Sequence, residues 1–443
     1  ILKVYIVLLQ KLNNNKSHYM NDLFDKMKKD AGPLGTHLKR AHGYFAFPKL
    51  EGELGNRMIF RGKEKIVWSL NNYLGLVNHP ETRKIDAIAA EKWGMGNPMG
   101  SRMMSGNTAM HEQLEVVLAD FVSREDAMLL NFGYQGVMSC IDALVNRHDI
   151  IVYDGESHAC LMDGIRMHIG YTYKYKHNNV EDCEKQLQRA VAMADKTGGG
   201  ILVVTEGVFG MSGTQGKIKE IVALKEKYHF RILIDDAHGF GSMGATGAGS
   251  DEAQSCQKEV DLYFSTFVKS MGSIGAFISG PKAIIDYLRY NVRSQIFAKS
   301  LPLIVVEGML KRMDMLKTMP ELREKLWHIV NKLQKGLKEK GFDIGHTNSP
   351  VTPIYMKGGL PEATNMVMDI RENYNIFCSV VVFPVIPKGE IIFRIIPTAA
   401  HTEEDVDITL KAFEETKKKL DAGEYKAEEI PDMSDAGYAK KIA

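Results

Sequence analysis

The chain has 443 residues, of which 44% are hydrophobic and 25% are charged, and its formal net charge is +1 at pH 7. This composition is typical of a globular protein with ample apolar residues for a core, and the length predicts two or three domains. The near-zero net charge argues against bulk electrostatic attraction to nucleic acid, so no nucleic-acid partner is expected.

The first residues of the chain are not expected to form a membrane span. The apolar run Val4–Leu9 is too short to cross a bilayer, and no small-residue cleavage site of a signal peptide follows it. We expect Met20 to be the natural start, with residues 1–19 as an upstream extension. The alternative is an amphipathic arm on a partner or a membrane, which leaves peripheral contact with the inner membrane open.

The cysteines are widely separated and odd in number: Cys140, Cys160, Cys183, Cys256 and Cys378. Because no C-x-x-C pair occurs, neither a zinc site nor a disulfide framework is predicted. Unpaired cysteines suit a reducing compartment, so we expect a cytoplasmic protein.

Changes in the local sequence pattern divide the chain into four predicted segments. We predict an N-terminal extension and arm over residues 1–60, a large domain over 61–300, a smaller domain over 301–423 and a polar tail over 424–443. No internal repeat or low-complexity region occurs in any of them.

In the large segment, apolar strand-like runs alternate with helical ones. Helices are predicted at Glu81–Trp93 and His111–Val122, on either side of a glycine-rich loop over 94–106. The predicted strands are Ile66–Leu70, Ala127–Asn131, Ile150–Asp154, Ile201–Thr205, Arg231–Asp235, Leu262–Phe267 and Ala276–Ser279. This alternation predicts an α/β fold with a large, doubly wound, mostly parallel sheet covered by helices.

After Pro302 the pattern changes to that of a smaller α+β domain. Two long helical stretches flank Pro320, and a helix capped by Thr402 closes the domain. The predicted strands of this part are Val351–Met356, Ser379–Val385 and Ile391–Ile396.

Polar or small residues follow five of the predicted strands of the large sheet. They are Asn131–Tyr134, Asp154 with His158, Thr205–Gly207, Asp235 with His238, and Thr266 with Lys269. Ligands of open α/β sheets bind at the carboxyl ends of the strands. We therefore expect these side chains to converge on one site.

Lys269 has the setting of a Schiff-base lysine. A lysine in a desolvated site at a strand end has a lowered pKa and can condense with a carbonyl, and the small residues after Lys269 leave room for a flat cofactor. A pyridoxal phosphate site also needs an acid at the pyridine nitrogen, an anion pocket and a stacking group. Asp235, the start of a helix at Gly133 and Tyr134, and His158 are candidates for these, and His238 for the ring hydroxyl.

Other cofactor sites fit the sequence less well. Gly239–Gly244 matches G-x-G-x-x-G, which keeps a nicotinamide-dependent oxidoreductase as the alternative, although no apolar helix follows. The run Gly210–Lys217 is one residue too long for a P-loop and continues with Ile218 where Ser or Thr is required. His158 and His238 lack the spacings of a metal site.

The order of the motifs resembles the α-oxoamine synthases. These are fold-type I pyridoxal-phosphate enzymes that join an amino acid to an acyl-CoA. The matching segments are Asn71–Leu76, Gly100–Asn107, Ser157–Arg166, Thr205–Phe209, Asp235–Gly239, Thr266–Ser270 and Arg394–Thr402. The resemblance thus covers most of the chain, from about Asn71 to Thr402.

The resemblance implies specific roles at the cofactor. Lys269 forms the Schiff base with pyridoxal 5'-phosphate, and Asp235 pairs with the pyridine nitrogen. His238 contacts the ring hydroxyl, and His158 stacks on the ring and touches the substrate carboxylate. The phosphate is contacted by Gly133, Tyr134 and Thr266.

The resemblance also implies a homodimer with shared active sites. Arg394 binds the substrate carboxylate, and Asn72 and Tyr73 reach the site from the neighbouring subunit. The family places Thr or Ser where Ala298 stands, which leaves Ser300 or Lys299 to reach the phosphate.

Within the family, the sequence is most similar to the bacterial serine palmitoyltransferase branch. The segments that indicate this are Tyr290–Phe297, Ser349–Ile354 and Val380–Arg394. They predict condensation of L-serine with a long-chain acyl-CoA and decarboxylation to a 3-keto amine of sphingolipid synthesis. Gly210 and Ser212 stand where the family commonly has Ser and Asp, which puts the substrate in question.

Three alternatives remain. The first is another α-oxoamine synthase, namely a glycine C-acetyltransferase, an 8-amino-7-oxononanoate synthase or a cysteate acyltransferase. The second is the nicotinamide-dependent oxidoreductase. The third is a catalytically silent partner subunit, against which Lys269 argues.

Overall fold

A computed structural model describes residues 23–29 and 32–434 of the chain. The predicted extension over residues 1–19 and the end of the predicted tail, residues 435–443, lie outside the described residues. No helix within the described ranges has the length and apolar character needed to cross a membrane.

The strands, in chain order, are β1 Leu50–Glu51, β2 Arg57–Phe60, β3 Lys63–Val67, β4 Asp126–Leu130, β5 Ile150–Asp154, β6 Tyr171–Tyr175, β7 Ile201–Glu206, β8 Arg231–Asp235, β9 Leu262–Thr266, β10 Ala276–Gly280, β11 Thr352–Tyr355, β12 Ile376–Phe377, β13 Ser379–Val381 and β14 Ile392–Ile395.

The helices are α1 Leu23–Lys29, α2 Gly32–Gly35, α3 Leu38–Ala41, α4 Pro80–Trp93, α5 Ala109–Phe121, α6 Gly133–Leu144, α7 Ala159–Met167, α8 Val180–Thr197, α9 Ile218–Ala223, α10 Ser250–Ala253, α11 Lys282–Asn291, α12 Arg293–Ile296, α13 Leu303–Thr318, α14 Glu321–Glu339, α15 Leu360–Asn373 and α16 Glu403–Asp421.

The large sheet has seven strands in the order β4-β10-β9-β8-β7-β5-β6. Strand β10 is antiparallel to both neighbours, and the other pairs are parallel. The predicted doubly wound, mostly parallel sheet is therefore confirmed.

Each face of this sheet packs against its own layer of helices. Along β8, Ile232 and Ile234 belong to one apolar cluster, whereas Leu233 belongs to another. The first cluster includes Leu187 of α8, and the second includes Ile141 of α6. This alternation follows from the two-residue period of a strand, and it explains why β8 reads as a continuous apolar run.

Several strands differ from the prediction: β1, β2 and β12 were not expected, and the strand predicted over Ile66–Leu70 spans Lys63–Val67. Strand β6 was missed because it is an edge strand with mostly exposed side chains, so its sequence has no apolar run. The strand predicted over Ser379–Val385 ends at Val381. Pro384 lacks the backbone N–H that a ladder requires, which shortens the run.

The C-terminal part contains the three-stranded sheet β11-β14-β13 and shares a second sheet with the start of the chain. Strand β3 falls in the range predicted for the large domain, yet its parallel partner is β12. The helix predicted after Thr402 is confirmed: Thr402 Oγ1 accepts the N–H of Asp405 at 3.1 Å, and Asp405 Oδ2 accepts the N–H of Thr402 at 3.0 Å.

Candidate active site

The carboxyl ends of β7, β8 and β9 bring the site together. Glu206 and Asp235 are direct partners in the β7–β8 register, and Asp235 pairs with Phe264 of β9. The chain then continues from β8 to His238 and from β9 to Lys269. The structure thus places these residues at one edge of the sheet, as expected from the parallel topology.

Asp235 is a buried carboxylate, with 5% of its surface exposed. Its Oδ1 accepts the backbone N–H of Ala237 at 3.0 Å, and its Oδ2 lies 3.7 Å from the Cys160 sulfur. No Lys, Arg or His of the described chain forms an ion pair with it. A buried carboxylate without a cation calls for a protonated partner, such as a pyridinium nitrogen.

Lys269 Nζ makes no hydrogen bond or ion pair to any residue that the structure describes. Burial lowers the pKa of Lys269, and the carboxyl groups of Asp235 and Glu206 oppose that shift. A lysine with a lowered pKa and a free amine is suited to nucleophilic attack on a carbonyl.

Arg312 stabilises the loop that carries Lys269. Arg312 is buried on α13, and its Nε donates to the carbonyl of Met271 at 2.8 Å. Its two terminal nitrogens hold both carboxylate oxygens of Asp86 at 2.8 and 2.7 Å. This fork fixes the turn after Lys269, and sequence reasoning missed it because the three residues are far apart in the chain.

His158 lies at the open side of the cleft, just before α7. Its Nδ1 accepts the backbone N–H of Cys160 at 3.3 Å and so caps the helix. Desolvation lowers the pKa of His158, opposed by the charge of Asp235. The ring is therefore neutral at pH 7 and able to pack against an aromatic ring.

His238 is paired with Tyr73 of the same chain. The Tyr73 hydroxyl lies 2.7 Å from Nδ1 of His238. Burial lowers the pKa of His238 well below its usual value, and Lys269 acts in the same direction. Tyr73, which was expected to reach the site from the neighbouring subunit, thus contacts a site residue of its own chain. Asn72 is also buried, and its Oδ1 accepts the N–H of Val77 at 3.3 Å.

A candidate phosphate cradle lies between α6 and the end of β9. Helix α6 begins at Gly133, and Phe132 before it supplies no side-chain cap, so the first N–H groups remain available. A Cβ at Gly133 would come within 3.1 Å of Thr266, so the two residues are in contact. The Tyr134 hydroxyl donates to Asp163, and the Tyr134 ring lies edge-on to His158.

Ser300 is positioned differently from the expectation. Its Oγ donates to the carbonyl of Gly100 at 3.0 Å, and its N–H donates to the same oxygen at 2.9 Å. The hydroxyl proton is therefore engaged with the glycine-rich loop over 94–106 of its own chain. Lys299 is exposed, and its carbonyl accepts from the Asn131 side chain near the cradle.

Arg394 on β14 connects the two sheets across the cleft. Its Nε donates to the carbonyl of Gly210 at 2.7 Å, and one terminal nitrogen donates to Asn71 Oδ1 at 3.2 Å. No carboxylate of the described chain pairs with it, and burial lowers the pKa of Arg394. An unpaired guanidinium in a cleft favours an anionic ligand.

Asp236 stands next to Asp235 in the recognised segment Asp235–Gly239. It is fully buried and accepts from the Ser250 N–H at 2.7 Å and the Tyr263 hydroxyl at 2.9 Å. Burial raises the pKa of Asp236 to about 7. Of the glycines in the loop Gly239–Gly244, Gly239 lies against this carboxyl group, whereas Gly241 lies against Ser270 and Gly244 against Glu252. The four-residue α10 follows this loop, so the nicotinamide alternative lacks the long helix that it needs there.

The site has the parts that pyridoxal phosphate requires. The unpaired amine of Lys269 suits the aldehyde, the cation-free Asp235 suits the pyridine nitrogen, and the uncapped start of α6 suits the phosphate. These three features come from different strands, which makes a chance combination of them improbable.

Comparison with known proteins agrees with this geometry. The family model of aminotransferase class I and II matches residues 63–413. The chain is 59% identical over 408 residues to a cysteate-C-fatty acyltransferase of Capnocytophaga ochracea, covering 92% of this chain and 97% of that protein. It is 34% identical over 378 residues to a serine palmitoyltransferase of Bacteriovorax stolpii, covering 85% and 88%.

Solved structures give the same result. The fold is similar to that of serine palmitoyltransferase from S. paucimobilis with bound PLP and myriocin, with a TM-score of 0.83 and 28% identity over 91% of this chain and 100% of that one. The enzyme from Sphingomonas wittichii has a TM-score of 0.82, 28% identity and the same coverage. The chain therefore belongs to the α-oxoamine synthase family of fold-type I enzymes and is a pyridoxal-phosphate-dependent acyltransferase.

Proposed function

We propose that the enzyme joins a sulfonated amino acid of the cysteate type to a long-chain fatty acyl-CoA. CoA and carbon dioxide leave, and the product is a 3-keto amine that keeps the sulfonate. The observation that carries this proposal is the 59% identity to a cysteate-C-fatty acyltransferase, against 34% for serine palmitoyltransferases. Cysteate, one of the alternatives that the sequence left open, thus takes the place of serine as the proposed amino-acid substrate.

The charges of the site support an acidic substrate. Arg394 has no anionic partner in the described part of the chain, so its guanidinium is available to a carboxylate or a sulfonate. Burial raises the pKa of Glu206 well above its usual value, with the Asp235 charge acting in the same direction, so a neutral Glu206 does not repel such a substrate.

Gly210 departs from the pattern that is common in the family. A Cβ at Gly210 would lie 2.4 Å from Nε2 of His238, so the ring occupies the space that a side chain there would need. Since the family commonly has Ser at this position, the histidine and the loop are arranged differently here.

The cofactor supplies an electron sink that makes the α-carbon of the bound amino acid acidic. Lys269 holds and returns the α-proton, for which its lowered pKa and free amine are suited. Asp235 would face the pyridine nitrogen, and Arg394 would bind and orient the substrate carboxylate. The hydrogen bond between the Tyr73 hydroxyl and Nδ1 orients His238 within the site.

A homodimer is part of the proposal. Met95, Met99 and Met104 in the loop over 94–106 are 70%, 82% and 81% exposed, and Phe297, which lies three residues before the Ser300 that bonds Gly100 of this loop, is 76% exposed. Apolar side chains grouped in this way are typical of an interface, and two-fold pairing is the commonest way to cover them. Light scattering coupled to size exclusion should give twice the chain mass.

The test is CoA release by the purified enzyme with cysteate, serine, glycine or alanine, each combined with short and long acyl-CoAs. We expect cysteate with a long-chain acyl-CoA to turn over fastest, with a sulfonated keto amine identified by mass. Lys269→Ala, which cannot form the Schiff base, is the control. Any CoA that this variant still releases does not come from the proposed reaction. A higher kcat/KM for serine would instead support the second candidate, a serine palmitoyltransferase, which the 34% relatives and the solved structures favour.

A further inference from the structure

His158 is contacted by two buried polar groups to which the family resemblance assigned no role. These are the thiol of Cys160 and the carboxyl group of Glu206, and each residue has 4% of its surface exposed. One contacts the imidazole ring, and the other contacts the backbone of the same residue. Together with the backbone N–H of Cys160, these groups make the contacts that bear on the position of the ring and on which nitrogen carries its proton.

Cys160 contacts the imidazole ring of His158. Its sulfur lies 2.9 Å from Nδ1 of His158 and 3.7 Å from Oδ2 of Asp235. The backbone N–H of Cys160 donates to the same Nδ1 at 3.3 Å. Because Nδ1 accepts from that N–H, the ring proton of neutral His158 belongs on Nε2, and the thiol can donate to Nδ1 or to Asp235.

Glu206 contacts the backbone of His158. Its Oε1 accepts the N–H of His158, and the carboxyl group stands beside Asp235 in the register of β7 and β8. No cation of the described chain pairs with Glu206. Two carboxyl groups that lie side by side in a buried site repel each other if both are ionised. One of them therefore keeps its proton, and it is the one without a cationic partner. Glu206 is that residue once a pyridinium nitrogen faces Asp235.

We propose that Cys160 and Glu206 are positioning residues that hold His158 as the neutral Nε2–H tautomer and leave Asp235 as the ionised carboxylate at this edge of the sheet. The inference deepens the proposed function and rests on it, because His158 acts there on the cofactor ring and the amino-acid carboxylate. It does not depend on which amino acid is used.

The role of Cys160 is tested by comparing Cys160→Ala with Cys160→Ser. Both replacements shrink the side chain, but serine retains a donor, so their difference isolates the hydrogen bond. We expect the alanine variant to raise the KM for the amino acid about tenfold, with kcat within about threefold, and the serine variant to recover most of it. Alanine and serine variants that both match the wild type in KM would overturn the role of Cys160.

The role of Glu206 is tested by Glu206→Gln, which keeps the acceptor for the His158 N–H and removes any charge. The visible absorption band of the bound cofactor is titrated with pH, and no substrate is needed. If Glu206 is neutral, the midpoint stays within about 0.3 pH unit of the wild type. If Glu206 is ionised, the lost negative charge lowers the midpoint by about one unit or more, which would overturn the proposal.

Glu206→Ala completes the set, because it removes the acceptor as well. We expect a raised KM for the amino acid with Ala and not with Gln. Equal KM values for the two variants would contradict a positioning role. If the CoA-release assay shows that serine is the substrate, the same KM comparison is made with serine, so failure of the substrate proposal is distinguished from failure of this one.

Discussion

The hydroxyl of Tyr73 lies 2.7 Å from Nδ1 of His238, and both side chains are buried. Tyr73 belongs to the segment before the large sheet, whereas His238 follows β8, so the bond joins two distant parts of the chain at the cofactor site. Since the pKa of His238 is well below its usual value, the ring is neutral, and the hydroxyl holds its Nδ1 edge by a hydrogen bond.

Tyr73→Phe should therefore impair catalysis more than folding. The variant keeps the ring and removes the bond, so we expect kcat/KM to fall about tenfold while the melting temperature changes by a few degrees at most. Tyr228→Phe is the matched control, since the Tyr228 hydroxyl bonds Glu184 and Gln188 away from the site. Equal activity of the Tyr73 variant and the wild type would show that the bond has no catalytic role.

Gly210→Ser tests the crowding at His238. The new Cβ would lie 2.4 Å from Nε2, so the histidine must move, and we expect at least a tenfold lower kcat/KM together with a changed cofactor absorption spectrum. Gly200→Ser is the control, because its Cβ would meet its nearest atom only at 3.6 Å. A fully active Gly210 variant with an unchanged spectrum would contradict the arrangement described here.

Arg312→Met should weaken cofactor binding. The substitution removes the hydrogen bond to the Met271 carbonyl and both hydrogen bonds to the Asp86 carboxylate, so the loop that carries Lys269 is held less firmly. We expect a loss of about 2 kcal/mol in the free energy of unfolding and a higher Kd for pyridoxal phosphate, measured by absorption. Arg83→Met, which breaks an exposed pair with Glu53, should cost less than about 1 kcal/mol and leave the Kd unchanged.

His401 should make the protein less stable in acid. Its ring stacks on Trp68 with centroids 3.8 Å apart, and burial lowers the pKa of His401 to about 4. The unfolded chain binds a proton near pH 6.5 that the folded chain takes up only near pH 4, so stability falls as pH decreases through this window, by about 3 kcal/mol for this group.

The measurement for His401 is the free energy of unfolding from denaturant titrations at pH 7 and pH 4. His401→Gln, which cannot titrate, should lose less stability between the two pH values than the wild type. An identical loss in both proteins would assign the acid sensitivity to other groups.

The strand ends were the most predictable part of the site. Strand β8 is buried on both faces, so its apolar run and the abrupt change at Asp235 could be located from sequence, and parallel topology then placed Asp235 near Lys269. Strand β6 could not be located because an exposed edge strand needs no apolar run.

Contacts between distant segments were beyond sequence reasoning. The position of Tyr73 beside His238 of its own chain depends on how the first residues of the large segment pack, which no local pattern encodes. The bonds from Ser300 to Gly100 and from Arg312 to Met271 are of the same kind. Glu206 stood in a recognised motif, but its orientation toward the backbone of His158 required coordinates.

The most direct test of the central claim is a competition in one tube. Equal concentrations of L-cysteate and L-serine are supplied with a limiting amount of a long-chain acyl-CoA, and the two keto amine products are quantified by mass. Their ratio at early times equals the ratio of the two kcat/KM values. The account predicts that the sulfonated product dominates by at least about tenfold, and a predominance of the serine-derived product would contradict it.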